Sequence, residues 1–195
     1  GFNDIAPVIT ASLVVREETS NSAEIGIKTS LLDRRLTFNL SAFHTKFDNF
    51  QVQSFDPIIQ TFQILNAAKV TTQGVEASLF AAPVEGFTLN ASASILSAKF
   101  DSFPGAQCFP TQVTAGCSPT VNTFDAAGLD LPNSPKFTST VQAKYEFKTS
   151  GNVKPFIEGN WYHRSSVKPS PSETPGAYIP KVDLFGASIG AEIGE

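Results

Sequence analysis

Apolar and polar residues alternate one by one along most of this chain. In Phe87–Leu96, FTLNASASIL, the residues Phe87, Leu89, Ala91, Ala93 and Ile95 fall on one side. Thr88, Asn90, Ser92 and Ser94 fall on the other, and Leu96 alone breaks the order. Successive side chains of a strand point to opposite faces, so the stretch predicts a strand with one oily and one wet face. The same period recurs over 23–30, 36–42, 74–79, 137–147, 153–163 and 185–193, giving about seven strands, while helical periodicity is almost absent. Several of these stretches reach ten residues or more. A globular strand usually has about five or six residues, whereas a strand that crosses a membrane needs about nine to eleven.

The connections alternate as well. LLDRR (Leu31–Arg35), PVEG (Pro83–Gly86) and KTSGN (Lys148–Asn152) are tight turns. Between them the sequence predicts longer loops at Asp48–Pro57, Asp101–Pro135 and Ser165–Pro175. A soluble sandwich, with oil inside, has no reason to keep that rhythm. An outer-membrane barrel does, because its short turns lie on the periplasmic side and its long loops outside. The expectation is therefore an all-β, antiparallel up-and-down meander whose Ala, Val, Leu and Phe rows face lipid and whose Ser, Thr, Asn and Gln rows face water. A soluble β-sandwich binding or adhesion module is the alternative.

Composition narrows the classes further. Charged residues make up only 16% of the chain, below the roughly one quarter usual in soluble domains. No run of eighteen apolar residues exists, so no transmembrane helix is expected. A net charge of −4, without a Lys/Arg cluster, argues against nucleic acid as a partner. The chain begins with Gly1 and has no Met, as expected of a piece of a longer protein.

The stretches GFNDIAP (Gly1–Pro7), ETSNSAEIGIK (Glu18–Lys28), LTFNLSAFHTKFDNFQ (Leu36–Gln51), NAAKVTTQGVEASL (Asn66–Leu79) and LPNSPKFTSTVQAKYEF (Leu131–Phe147) resemble, in order and spacing, the C-terminal part of the barrel of TonB-dependent outer-membrane receptors. The resemblance implies a Gram-negative outer membrane and a 22-stranded barrel around an N-terminal plug. It also implies import of a scarce nutrient (siderophore-iron, cobalamin or an oligosaccharide) driven by the TonB energy-coupling complex. Residues 1–195 are expected to be a barrel segment without the plug, the energy-coupling N-terminal region or the last strands. In isolation such a segment is expected to self-associate through open strand edges.

Candidate chemistry is sparse. Cys108 and Cys117 share the long loop and are expected to form a local disulfide; a zinc site would need two more ligands, and none is close by in sequence. Glu24, Lys28, Glu76, Lys144 and Glu158, with Glu146 and Lys154, share the predicted lumen side, where they are hydrated wall residues or line a substrate path. Phe103, Phe109 and Phe124 are loop aromatics that either pack within the loop or contact a ligand. Phe100, Tyr145, Phe147, Trp161 and Tyr162 sit near strand ends, where barrels carry aromatic girdles. His44 and His163 are expected to be structural. No catalytic motif, cofactor fingerprint or metal set is present, so an enzyme is not expected.

Overall fold

The computed structural model describes residues 15–56, 61–109, 112, 116–118, 120, 122–171 and 176–194. The stretch Gly1–Pro7 lies outside them. Seven long strands form one antiparallel sheet in the order β1 (Thr19–Leu31), β2 (Leu36–Asp56), β3 (Thr61–Ala81), β4 (Phe87–Ser102), β7 (Phe137–Glu146), β8 (Val153–Arg164) and β9 (Val182–Ile193). Two short strands, β5 (Ala106–Gln107) and β6 (Thr123–Phe124), pair with each other inside the long loop after β4. Each long strand pairs with the next long strand in sequence, so the sheet is a plain meander with β1 and β9 at its edges.

The tight turns fall where glycine and turn residues place them. Leu32, Asp33 and Arg34 take left-handed backbone angles between β1 and β2. Gly86, at φ 84°, closes the turn before β4, and a Cβ there would stand 2.4 Å from the Glu146 carbonyl. The tight turns before β2, β4 and β8 lie at one end of the sheet, and the long connections after β4 and β8 lie at the other, where residues 57–60 also link β2 to β3. The segment 48–56, read from sequence as a loop, is instead strand: β2 runs on to Asp56 opposite β3. A bulge between Phe47 and Phe50 carries it past the register shift. Asn49 adopts φ 55° there, and Asn66 Nδ2 donates to the Asn49 carbonyl at 2.8 Å. The bulge absorbs the irregularity without ending the strand.

No second sheet covers the apolar rows among the described residues. Phe38, Leu40, Val75, Ile95, Ile157 and Ile189 stand exposed on the convex face. The polar rows line two open hollows of about 390 and 560 Å³ on the concave face. The sandwich alternative fails on this point, because its oily rows would have to meet in a dry centre. The buried core is small and lies elsewhere. Ala68, Val70, Phe100, Phe103, Ala106, Cys108, Phe124 and Ala126 cluster at the long-loop end, with Phe47, Phe50, Val52, Leu129 and Leu131 packed against them.

Candidate functional site

The concave face has two zones. In the zone nearer the tight turns, period-two alternation sends Glu24, Lys28, Asn39, Ser41, Glu76, Ser78, Ser92, Ser94, Thr138 and Thr140 inward. Hydroxyls and amides bond across the strands: Ser22 with Thr45 at 2.8 Å, Ser92 with Thr140 at 2.6 Å, and Asn39 Nδ2 to Ser78 Oγ at 3.0 Å. Gln142 Nε2 donates to Glu158 at 3.0 Å. Lys144 Nζ bridges Glu146 at 2.8 Å and Glu192 at 2.7 Å, and lies 4.4 Å from the centre of the Phe156 ring. The expected wall residues Glu24, Lys28, Glu76, Lys144 and Glu158 therefore share one polar surface. They do not converge on a single cluster: Glu24, Lys28 and Glu76 border one hollow, Glu158 borders the other, and Lys144 is held by its carboxylates.

Two rings in this wall lie over glycines. Phe43 faces Gly74 and Phe156 faces Gly190 in the strand registers. A Cβ at Gly74 would sit 2.9 Å from Phe43 Cζ and 2.4 Å from the Ile95 carbonyl; at Gly190 it would sit 2.7 Å from Phe156 Cζ. Each ring fills the place of the side chain its neighbour lacks.

Towards the long loops the same face turns apolar. Phe50 and Val52 of β2, Ala68 and Val70 of β3, and Ala98 and Phe100 of β4 carry the core, and the loop between β4 and β7 folds back onto them. Its return arm runs beside the outer half of β4. Phe100 N donates to the Leu129 carbonyl at 3.0 Å, Leu131 N to Ala98 at 2.9 Å, and Leu96 N to Lys136 at 3.0 Å. Asp125 receives the Phe103 and Ala127 amides at 2.8 and 3.0 Å and so pins the bend. Cys108 and Cys117 are joined in a disulfide whose Cα atoms lie 6.1 Å apart.

The loop aromatics divide accordingly. Phe103 and Phe124 are buried at 2% and 4% exposure, so their rings build the loop core. Phe109 is half-buried, and its amide and carbonyl both bond Gln112. Phe100 belongs to this core and not to a lipid-facing girdle, because its inward position is roofed by the loop. Tyr162 also leaves the girdle, since it lines the concave hollows.

A third hollow, of about 360 Å³, opens where three segments meet at the outer end. Phe50 and Val52 form one side, Phe103, Leu131 and Pro132 another, and Pro169 and Pro171 of the connection between β8 and β9 the third. The Asn133 amide donates to the Lys168 carbonyl at 2.8 Å, tying the two loops together beside it.

On the convex face the outward rows of β1 to β4 and of β8 and β9 pass from apolar to polar towards the long loops, while that of β7 ends on Phe137. Leu40 gives way to His44, which shares a 3.1 Å hydrogen bond with Gln73. Trp161 stacks near Phe185, and both Trp161 Nε1 and His163 Nδ1 contact Asp183 Oδ1, at 3.2 and 2.8 Å. Ser139 pairs with His163 in register, yet its buried Oγ has no hydrogen-bond partner, so no nucleophile–base contact is formed there. At the opposite end Tyr145 and Phe147 meet edge to face at 5.0 Å. Apolar band, amphipathic aromatics at its borders and polar rows beyond make the profile of a bilayer-crossing wall. Among the described residues no group of three or more His, Cys, Asp or Glu is placed to hold a metal ion.

Solved structures share this arrangement. The siderophore receptor PiuA from Acinetobacter baumannii matches at 19% identity and a TM-score of 0.64 over 92% of this chain and 23% of its own. The ferric yersiniabactin uptake receptor FyuA from Yersinia pestis matches at 17% and 0.61 over 89% of this chain and 22% of its own. The pyoverdine receptor FpvA from Pseudomonas aeruginosa matches at 17% and 0.54 over 91% of this chain and 23% of its own. The chain thus spans less than a quarter of the length of these receptors. At such identities the likeness shows the fold. A family model described as TonB dependent receptor-like, beta-barrel matches residues 7–193. The chain therefore belongs to the TonB-dependent receptor β-barrel family, and its lipid-facing band is that of a Gram-negative outer-membrane protein.

Proposed function

We propose that the chain is a wall-and-loop segment of a receptor that takes up a scarce nutrient across the outer membrane, with a ferric siderophore as the leading cargo class. Cobalamin or an oligosaccharide are the other classes the family resemblance implies. The observation that carries this is the inverted sheet: hydrocarbon-compatible side chains outside, a hydrogen-bonded polar wall inside, and loop mass gathered at one end. In the whole receptor the edges β1 and β9 continue into further strands of a 22-stranded barrel, which removes their unpaired backbone groups. The polar wall, with Glu24, Lys28, Glu76, Lys144 and Glu158, faces a plug, and the loops capture cargo before the TonB complex drives its release inward. The chemistry is transport and not catalysis.

The test uses the full-length receptor in an outer membrane stripped of its other iron receptors. Uptake of radiolabelled ferric siderophore should appear with the receptor and stop when the TonB complex is deleted. A correctly inserted receptor that imports none of the three cargo classes would overturn the proposal.

A further inference from the structure

No further inference is drawn: the strongest candidate, the register row of Lys46, Thr71 and Lys99 on the convex face just beyond the apolar band, is a surface patch of exposed lysines interleaved with Asp48 and Asp101, and nothing in the structure shows what covers it.

Discussion

The inner face of β3 and β4 is two surfaces on one pair of strands. Near the tight turns its positions are Glu76, Ser78, Ser92 and Ser94, open to solvent, with Ser78 bonded to Asn39 and Ser92 to Thr140 on neighbouring strands. Further along the same rows come Val70, Ala68, Ala98 and Phe100, sealed under a loop. The backbone geometry is continuous; the covering differs. A polar inward row needs water above it, and an apolar one needs a roof, so the sequence of the wall and the conformation of the loop specify each other. The loop folds inward because the wall offers it an oily floor and because Asp125 and the Cys108–Cys117 bridge hold its bends.

Perturbations should separate these zones. The largest effect is expected at Phe100, where truncation to alanine empties a fully packed site. A loss of about 3–5 kcal/mol is expected for such a ring. It should appear as faster hydrogen exchange at the amides of 98–106, with the amides of 76–79 unchanged. The outward and inward rows should differ next. Val75→Arg, facing lipid, should cost about 2–4 kcal/mol of insertion stability if it lies near the midplane, whereas Ser78→Arg on the wetted face should cost far less. Urea unfolding of the receptor from vesicles would compare them, and equal costs would contradict the assignment of faces. Removing the disulfide by Cys108→Ser with Cys117→Ser should weaken the loop by about 2–3 kcal/mol. That should be visible as protease cleavage confined to 103–136, with the barrel intact.

The smallest effect concerns Glu85 at the tight-turn end. A hydrogen bond from Lys148, reinforced by its charge, holds the Glu85 carboxyl below its ordinary range. The folded state therefore favours the ionised form. Its contribution is present above the carboxylate's unfolded range and disappears as pH falls through the lowered folded value. Both side chains are solvent-exposed, so the contribution is slight. Glu85→Gln should flatten the acid limb of a stability–pH curve only marginally and leave neutral-pH behaviour of the loop end untouched.

Much of this was legible in the order of residues. Alternation located all seven long strands, and the short–long rhythm of connections identified the end that carries the loops after β4 and β8, although the long loop expected after β2 is strand to Asp56. The break at Leu96 was visible but not interpretable, because alternation tells which side a residue takes and not what lies over that side. Leu96 opens the inward run Leu96, Ala98, Phe100, which turns apolar under the return arm of the loop. For the same reason Phe100 looked like a girdle residue. Nearness to a strand end groups Tyr162 with Trp161, yet adjacent positions on a strand face opposite ways, and Tyr162 takes the inward one. The hollow bounded by Pro169 and Pro171 had no local signature, since its three sides come from segments far apart in sequence.

The rings resting on Gly74 and Gly190 carry a consequence for how such walls can drift over generations. At Gly190 the ring and the bare backbone beneath it form one heritable unit, so a methyl gained there is tolerable only once Phe156 has shrunk, whereas at Gly74 the Ile95 carbonyl bars a methyl whatever Phe43 becomes. Change at the Phe156–Gly190 pair must then travel in a fixed order, ring first and backbone site second. Descendants holding both an intact ring and a side chain opposite it should be rare.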